Sequence, residues 1–177
     1  IPLCFTRKRV SLIRTMHAPS SPSSTDLHQL VQALTRNQAE DGLANTLTPV
    51  QWELLTGYLQ LCVLVPGEVL ITCGAADRAV YFVESGSLSV HFEDDKGRLK
   101  LALVGAGGLL GEGAFFAHGP RSATVQAGSA CRVWSLTPIR FAELSNRQPA
   151  LALGLVMAMG GVLAKRLANR RRRIATT

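Results

Sequence analysis

Acidic residues are missing from both ends of this 177-residue chain. Residues 1–16 carry Arg7, Lys8, Arg9 and Arg14, and residues 165–173 carry Lys165, Arg166 and Arg170 to Arg173, without an Asp or Glu among them. The body, 17–164, holds nine basic and twelve acidic residues, so the formal net charge of +7 belongs to the two ends. Such ends are either solvated or meet nucleic acid, acidic lipid or an acidic partner. Aromatic residues make up only 6%, and no basic run interleaved with aromatics crosses the body. That excludes a core built to read nucleic acid.

Cysteine is also scarce, at positions 4, 62, 73 and 131, with no C-x-x-C and no histidine at zinc-ligand spacing. Metal is therefore not expected, and reduced thiols in a cytoplasmic protein are. His17, His28, His91 and His118 are scattered, and none stands at motif spacing from a nucleophile, so no catalytic residues and no enzyme are expected. His118 reads as a solvated loop residue. The longest charge-free apolar run of the second half, 148–164, is short and broken by glycine, so no transmembrane segment is expected. At 47% hydrophobic residues the chain can still bury a core without staples.

What is present has a clear order. Residues 1–25 include a Ser/Pro stretch after Met16 and read as a flexible lead-in. Leu27, Leu30, Val31, Leu34 and Leu43 predict a helix from Asp26 to about Asn45. Thr48, Pro49 and Gln51 predict a second, starting in a capping box and running to about Leu61 with Trp52, Leu55 and Leu59 on one face. From 63 to 137 short runs recur between glycines: 69–72, 79–84, 88–92, 99–104, 122–127 and 132–136, with Asp95-Lys96-Gly97 as a hairpin tip. This spacing means a β-sandwich or barrel. Thr137-Pro138 opens a further helix with Phe141, Leu144 and Ala142 inward, and Pro149 starts a long one to about Arg172, before a short tail, 173–177. That last helix carries two stripes, Leu153, Val156, Gly160, Leu163, Leu167 and Leu151, Leu155, Ala158, Val162. One can pack on the β-unit and the other on a partner helix; a fully buried core helix and a membrane-associated one are the alternatives.

The chemistry concentrates in 111–125, Gly-Glu-Gly-Ala-Phe-Phe-Ala-His-Gly-Pro-Arg-Ser-Ala-Thr-Val. Small residues let backbone amides approach an anion, Arg121 offers a planar fork for phosphate, and Glu112, the only acid between Asp95 and Glu143, suits a sugar hydroxyl. This set describes a binder of a sugar phosphate; a Glu112–Arg121 ion pair that merely closes the loop is the competing reading.

Gly111-Glu112 with Arg121-Ser122-Ala123-Thr124, preceded by Pro66-Gly67-Glu68, Gly74 and Tyr81-Phe82-Val83-Glu84-Ser85-Gly86, resembles the phosphate-binding cassette and upstream glycine pattern of the cyclic-nucleotide-binding domain family. The resemblance covers roughly Leu47 to Arg171. It implies an α+β, mainly β fold: an eight-stranded, jelly-roll-like β-roll over 63–137, its cassette at 111–124, flanked by N-terminal helices (26–62) and C-terminal helices (138–172). It implies cyclic AMP or cyclic GMP as ligand. Glu112 would take the ribose 2′-hydroxyl. Arg121 would take the cyclic phosphate, with Ser122 and the amides around Gly111, Gly113 and Ala114 assisting. Phe115 and Phe116 would anchor the cassette in the core.

Two departures stand out. Gly113 occupies a position that is usually a larger apolar residue, and Ala168-Asn169-Arg170-Arg171 follows Lys165-Arg166-Leu167 where a base-reading hydroxyl pair is usual. Asn169 or an arginine is then the residue to reach the base. With no helix-turn-helix after the long helix, sequence-specific DNA binding is not expected. The resulting expectation is a standalone, bacterial, cytoplasmic sensor without a cofactor. It would dimerise through its last helix and control an unidentified protein partner when ligand repositions that helix. The alternative is a ligand-free dimerisation or docking module acting through its basic tail.

Overall fold

The computed structural model describes residues 24–39, 42–44, 47–93 and 97–175. Residues 1–23, most of the Asp95-Lys96-Gly97 tip and the side chains of 170–175 lie outside what it describes, and with them the expectations for the lead-in and the arginine cluster.

Thirteen elements follow in chain order: α1 (Ser24–Arg36), α2 (Pro49–Thr56), β1 (Gln60–Leu64), β2 (Val69–Ile71), β3 (Val80–Ser85), β4 (Leu88–Glu93), β5 (Leu99–Val104), β6 (Leu109–Leu110), α3 (Glu112–Ala117), β7 (Thr124–Ala127), β8 (Cys131–Leu136), α4 (Pro138–Arg147) and α5 (Pro149–Ala175). The eight strands form two antiparallel sheets, β1-β8-β3-β6 and β2-β7-β4-β5. First pairs with last, second with seventh, third with sixth and fourth with fifth. This nested pairing is the expected jelly-roll.

Two expected helices stop early. The first ends at Arg36 because the Asn37 side chain accepts from the Ala39 amide at 2.9 Å and bends the chain. Leu43 is still buried, from a loop instead of a helical face. In α2 the capping box of Thr48 and Gln51 is formed, but the helix ends at Thr56, ahead of Gly57, and Gln60–Leu64 is a strand paired with β8. Leu59 keeps its buried place just outside the helix. Thr137 caps α4, which buries Leu144 and half-buries Phe141 but leaves Ala142 exposed.

The architecture has three layers. Leu64, Ile71, Val83, Leu88, Leu110, Val125, Ala127, Cys131 and Val133 fill the space between the sheets. Val80, Phe82, Leu109, Trp134 and Leu136 leave the other face of the first sheet and pack with Leu27, Leu30, Leu34, Trp52, Leu55, Leu144, Leu151, Leu155, Met159 and Val162 of the helices. Strands β3 and β8 are thus covered on both faces and read as nearly continuous apolar runs. A polar knot crosses this layer: Glu84, buried, accepts from Trp134 Nε1 at 2.6 Å and Arg132 Nε at 2.5 Å. The second sheet has no such cover, and β5 is exposed from Leu99 to Leu103.

Helix α5 buries Leu151, Ala152, Leu155, Met159 and Val162 and leaves Leu153, Met157 and Leu167 exposed. The stripe through Leu151 and Leu155 therefore faces the core. Its segment Pro149–Asn169 is long and apolar enough to cross a membrane by length and composition, which the glycine-broken run did not lead one to expect. Its core-packed side is that of a helix covering a globular core.

Candidate ligand-binding site

The cassette starts at Gly111, whose φ is +86°. A Cβ there would lie 2.5 Å from Arg121 Nη1 and 2.6 Å from the Ala79 carbonyl oxygen. Only glycine makes this turn and lets Arg121 lie against the backbone. The short helix α3 follows, with Phe115 packing edge-on against Phe116 (5.5 Å) and Phe141 (5.2 Å). Both phenylalanines pack on the helix-side core, as anchors of the cassette. The helix ends at His118, whose φ of +54° is left-handed; its Nδ1 accepts from Arg78 Nη1 at 2.5 Å. This exposed histidine therefore has a fixed partner.

Glu112 and Arg121, expected to share a ligand, are both buried, and each has a separate counter-ion. They do not pair with each other to close the loop. Arg121 is 3% exposed. Its Nε donates to Asp77 Oδ2 at 3.2 Å and its Nη2 to Asp77 Oδ1, a two-point carboxylate contact. Nη2 also donates to the Ala79 carbonyl at 2.7 Å and Nη1 to that of Gly111 at 3.3 Å. Among the described residues this engages four of the five guanidinium donors and leaves one N–H on Nη1. The cation also lies 5.7 Å from the Tyr81 ring centroid. The loop before β3 is tied to the same residue, since Gly74 N donates to Arg121 O at 2.8 Å and Arg121 N to Ala75 O at 2.9 Å. Arg121's hydrogen bonds hold the Asp77 carboxyl below its ordinary 3.8, against partial burial and with help from the guanidinium charge and the Ala79 amide.

Glu112 belongs to another element's reach. Arg166, from the third turn before the end of α5, donates from Nη1 to Glu112 Oε1 at 2.6 Å and from Nη2 to the Leu109 carbonyl at 2.9 Å. Arg166 was a candidate to reach a base; here it holds the carboxylate expected to bind a sugar. Ser122 is exposed beside Arg121, Ala114 is buried, and Gly113 has open space where a side chain would stand. No group of three or more His, Cys, Asp or Glu among the described residues could hold a metal ion.

Sequence reasoning missed Asp77. It sits in a loop beside Arg78, in a run that reads as solvated, and its partner lies 44 positions away.

A jelly-roll whose cassette places a buried arginine against Gly111 and a buried glutamate against the last helix matches one family profile, that of the cyclic nucleotide-binding domain, over residues 61–148. The chain belongs to the cyclic nucleotide-binding domain family. It is a member of a regulatory family. The cAMP-activated global transcriptional regulator CRP of Haemophilus influenzae is 29% identical over 153 residues, 85% of this chain and 65% of that protein. The chain thus spans less than two thirds of that curated relative. Among solved structures, a cyclic nucleotide-binding domain from Methylobacillus flagellatus superposes with a TM-score of 0.76 at 18% identity, covering 90% of this chain and 88% of that one, a likeness of fold. The regulatory domain of Toxoplasma gondii PKA, crystallised with cAMP, gives a TM-score of 0.57 at 28% identity over 69% of this chain and 45% of that one.

Proposed function

We propose that this cyclic nucleotide-binding domain is a cytoplasmic, non-catalytic sensor of cyclic AMP or cyclic GMP that reports occupancy through α5. The observation that carries the reading is the Arg166–Glu112 contact, because it ties the last helix to the carboxylate expected to bind ligand. A ribose 2′-hydroxyl donating to Glu112 competes with Arg166 for the same oxygens. Ligand and helix position are then coupled, and a ligand shifts the helix only by its differential affinity for the two arrangements. The cyclic phosphate takes the remaining Nη1 N–H of Arg121, the amides of Gly113 and Ala114 and the Ser122 hydroxyl, while Asp77 keeps the guanidinium in place. Free thiols at Cys62, Cys73 and Cys131 accord with a reducing compartment. The exposed residues of α5 accord with a homodimer through this helix, and a protein partner would read its position.

A second reading has its own observation: Arg121 and Glu112 are already neutralised within the chain, as they would be in a docking module that needs no ligand. Titration calorimetry with cyclic AMP and cyclic GMP separates the two. The sensor binds one or both, and Glu112→Gln weakens binding about 10-fold or more while the protein stays folded. Absence of heat from a folded wild type leaves the docking reading.

A further inference from the structure

The least explained surface of the molecule is the edge strand β5. Leu99, Leu101 and Leu103 are 72%, 61% and 74% exposed. They alternate along the strand and so share one face, opposite Glu93, His91 and Ser89 of β4. An uncovered apolar edge strand invites association and is ordinarily shielded. The chain carries a second uncovered apolar face, on α5: Leu153, Met157 and Leu167 at 63%, 69% and 54% exposure, on one side of the helix with Gly160, Gly161 and Ala164 between them.

Three properties make these two faces complementary. Leu99 to Leu103 spans about 14 Å of strand, and Met157 to Leu167 about 15 Å of helix. Their charged ends match as well. The β4–β5 connection beside Leu99 contributes Glu93, Asp94 and Asp95, and α5 beside Leu167 runs into Lys165 and Arg170 to Arg173. Aligning acid with base puts Leu99 near Leu167 and Leu103 near Met157. Lastly, a helix-on-helix contact over 153–167 is about 22 Å long and about 10 Å wide, well below the roughly 800 Å² per partner of a stable interface. The glycines of α5 leave room for close approach, and their Cβ positions are open.

We propose that the Leu99–Leu101–Leu103 ridge of one copy packs on the Met157–Leu167 face of α5 in a second copy, and reciprocally, in a two-fold dimer. The proposal rests on the homodimer reading above and adds the surface that completes the interface. The β-roll of each copy then touches the helix that reports ligand in the other.

Sedimentation equilibrium of the full chain tests it. The wild type forms a dimer, and Leu99→Thr/Leu101→Thr/Leu103→Thr, which keeps strand-forming residues, raises the dimer dissociation constant about 100-fold or more. An unchanged constant overturns the ridge proposal and leaves the α5 dimer standing. A monomeric wild type, including one recovered only on anionic vesicles, overturns both. A cross-linking arm avoids dependence on the triple variant. In chains with Cys4, Cys62 and Cys73 changed to serine, a Leu101→Cys chain and a Met157→Cys chain are mixed and oxidised. A disulfide between unlike chains supports the packing. A Leu101→Cys chain that cross-links only to itself overturns it in favour of edge-to-edge strand pairing.

Discussion

Arg166 and Glu112 are 54 positions apart and in contact at 2.6 Å, so the last helix is fastened to the cassette by one ion pair. Glu112 is almost fully buried and Arg166 about three-quarters so. Removing the cation strands a buried carboxylate. Arg166→Gln is expected to destabilise the fold by about 2 kcal/mol, reduced from a fully buried pair by the exposure of the arginine. In a double-mutant cycle with Glu112→Gln the second change costs much less than it does alone. Urea denaturation of the four proteins measures this.

Asp77 supplies the acid-sensitive element. Its folded carboxyl is depressed by Arg121, so the unfolded chain binds the proton first as pH falls. Its contribution to stability is complete above its unfolded value of 3.8 and is lost as pH drops through the lower folded value. Asp77→Asn is expected to be less stable than wild type at neutral pH, with the difference shrinking below about pH 4. Denaturation midpoints of both proteins from about pH 6 to about pH 2 check the convergence.

Two glycines two residues apart are expected to respond in opposite directions. Gly111→Ala puts a methyl into Arg121 and the Ala79 carbonyl at a left-handed φ, and should cost about 2–3 kcal/mol or more together with ligand binding. Gly113→Ala meets open space inside α3 and should stabilise by about 0.5–1 kcal/mol. Thermal unfolding of the pair reads both signs. Equal destabilisation of the two would contradict the turn geometry described above.

The Thr48 cap gives a control away from the cassette. Its side chain accepts from the Gln51 amide at 3.3 Å, and Thr48→Ala should cost about 1 kcal/mol without altering nucleotide affinity. Melting temperature and calorimetry on the same variant test both halves.

The readable parts of this fold are those whose signal is local. Thr48-Pro49 and Thr137-Pro138 announce helix starts because capping acts within four residues. The cassette is legible because Gly111, Glu112 and Arg121 stand at fixed spacing. Strand β1 was hidden because Leu55 and Leu59 fall at helical spacing, so the chain seems to continue α2 to Leu61. Strand β6 is two residues inside a glycine-rich run, too short for any period to appear. Asp77 and the role of Arg166 could not be read, since ion pairs across 44 and 54 positions leave no mark in a local pattern.

The place of Arg166 along α5 has a mechanical consequence. The helix is gripped by the core through Val162 and by Glu112 at Arg166, and nine residues to Ala175 follow, about 14 Å of overhang. The attachment thus lies next to the fulcrum, with the arginines on the outer arm. A pivot at the cassette of a few tenths of an ångström is enlarged at the tip, so a small local event becomes a displacement that a neighbouring surface can sense.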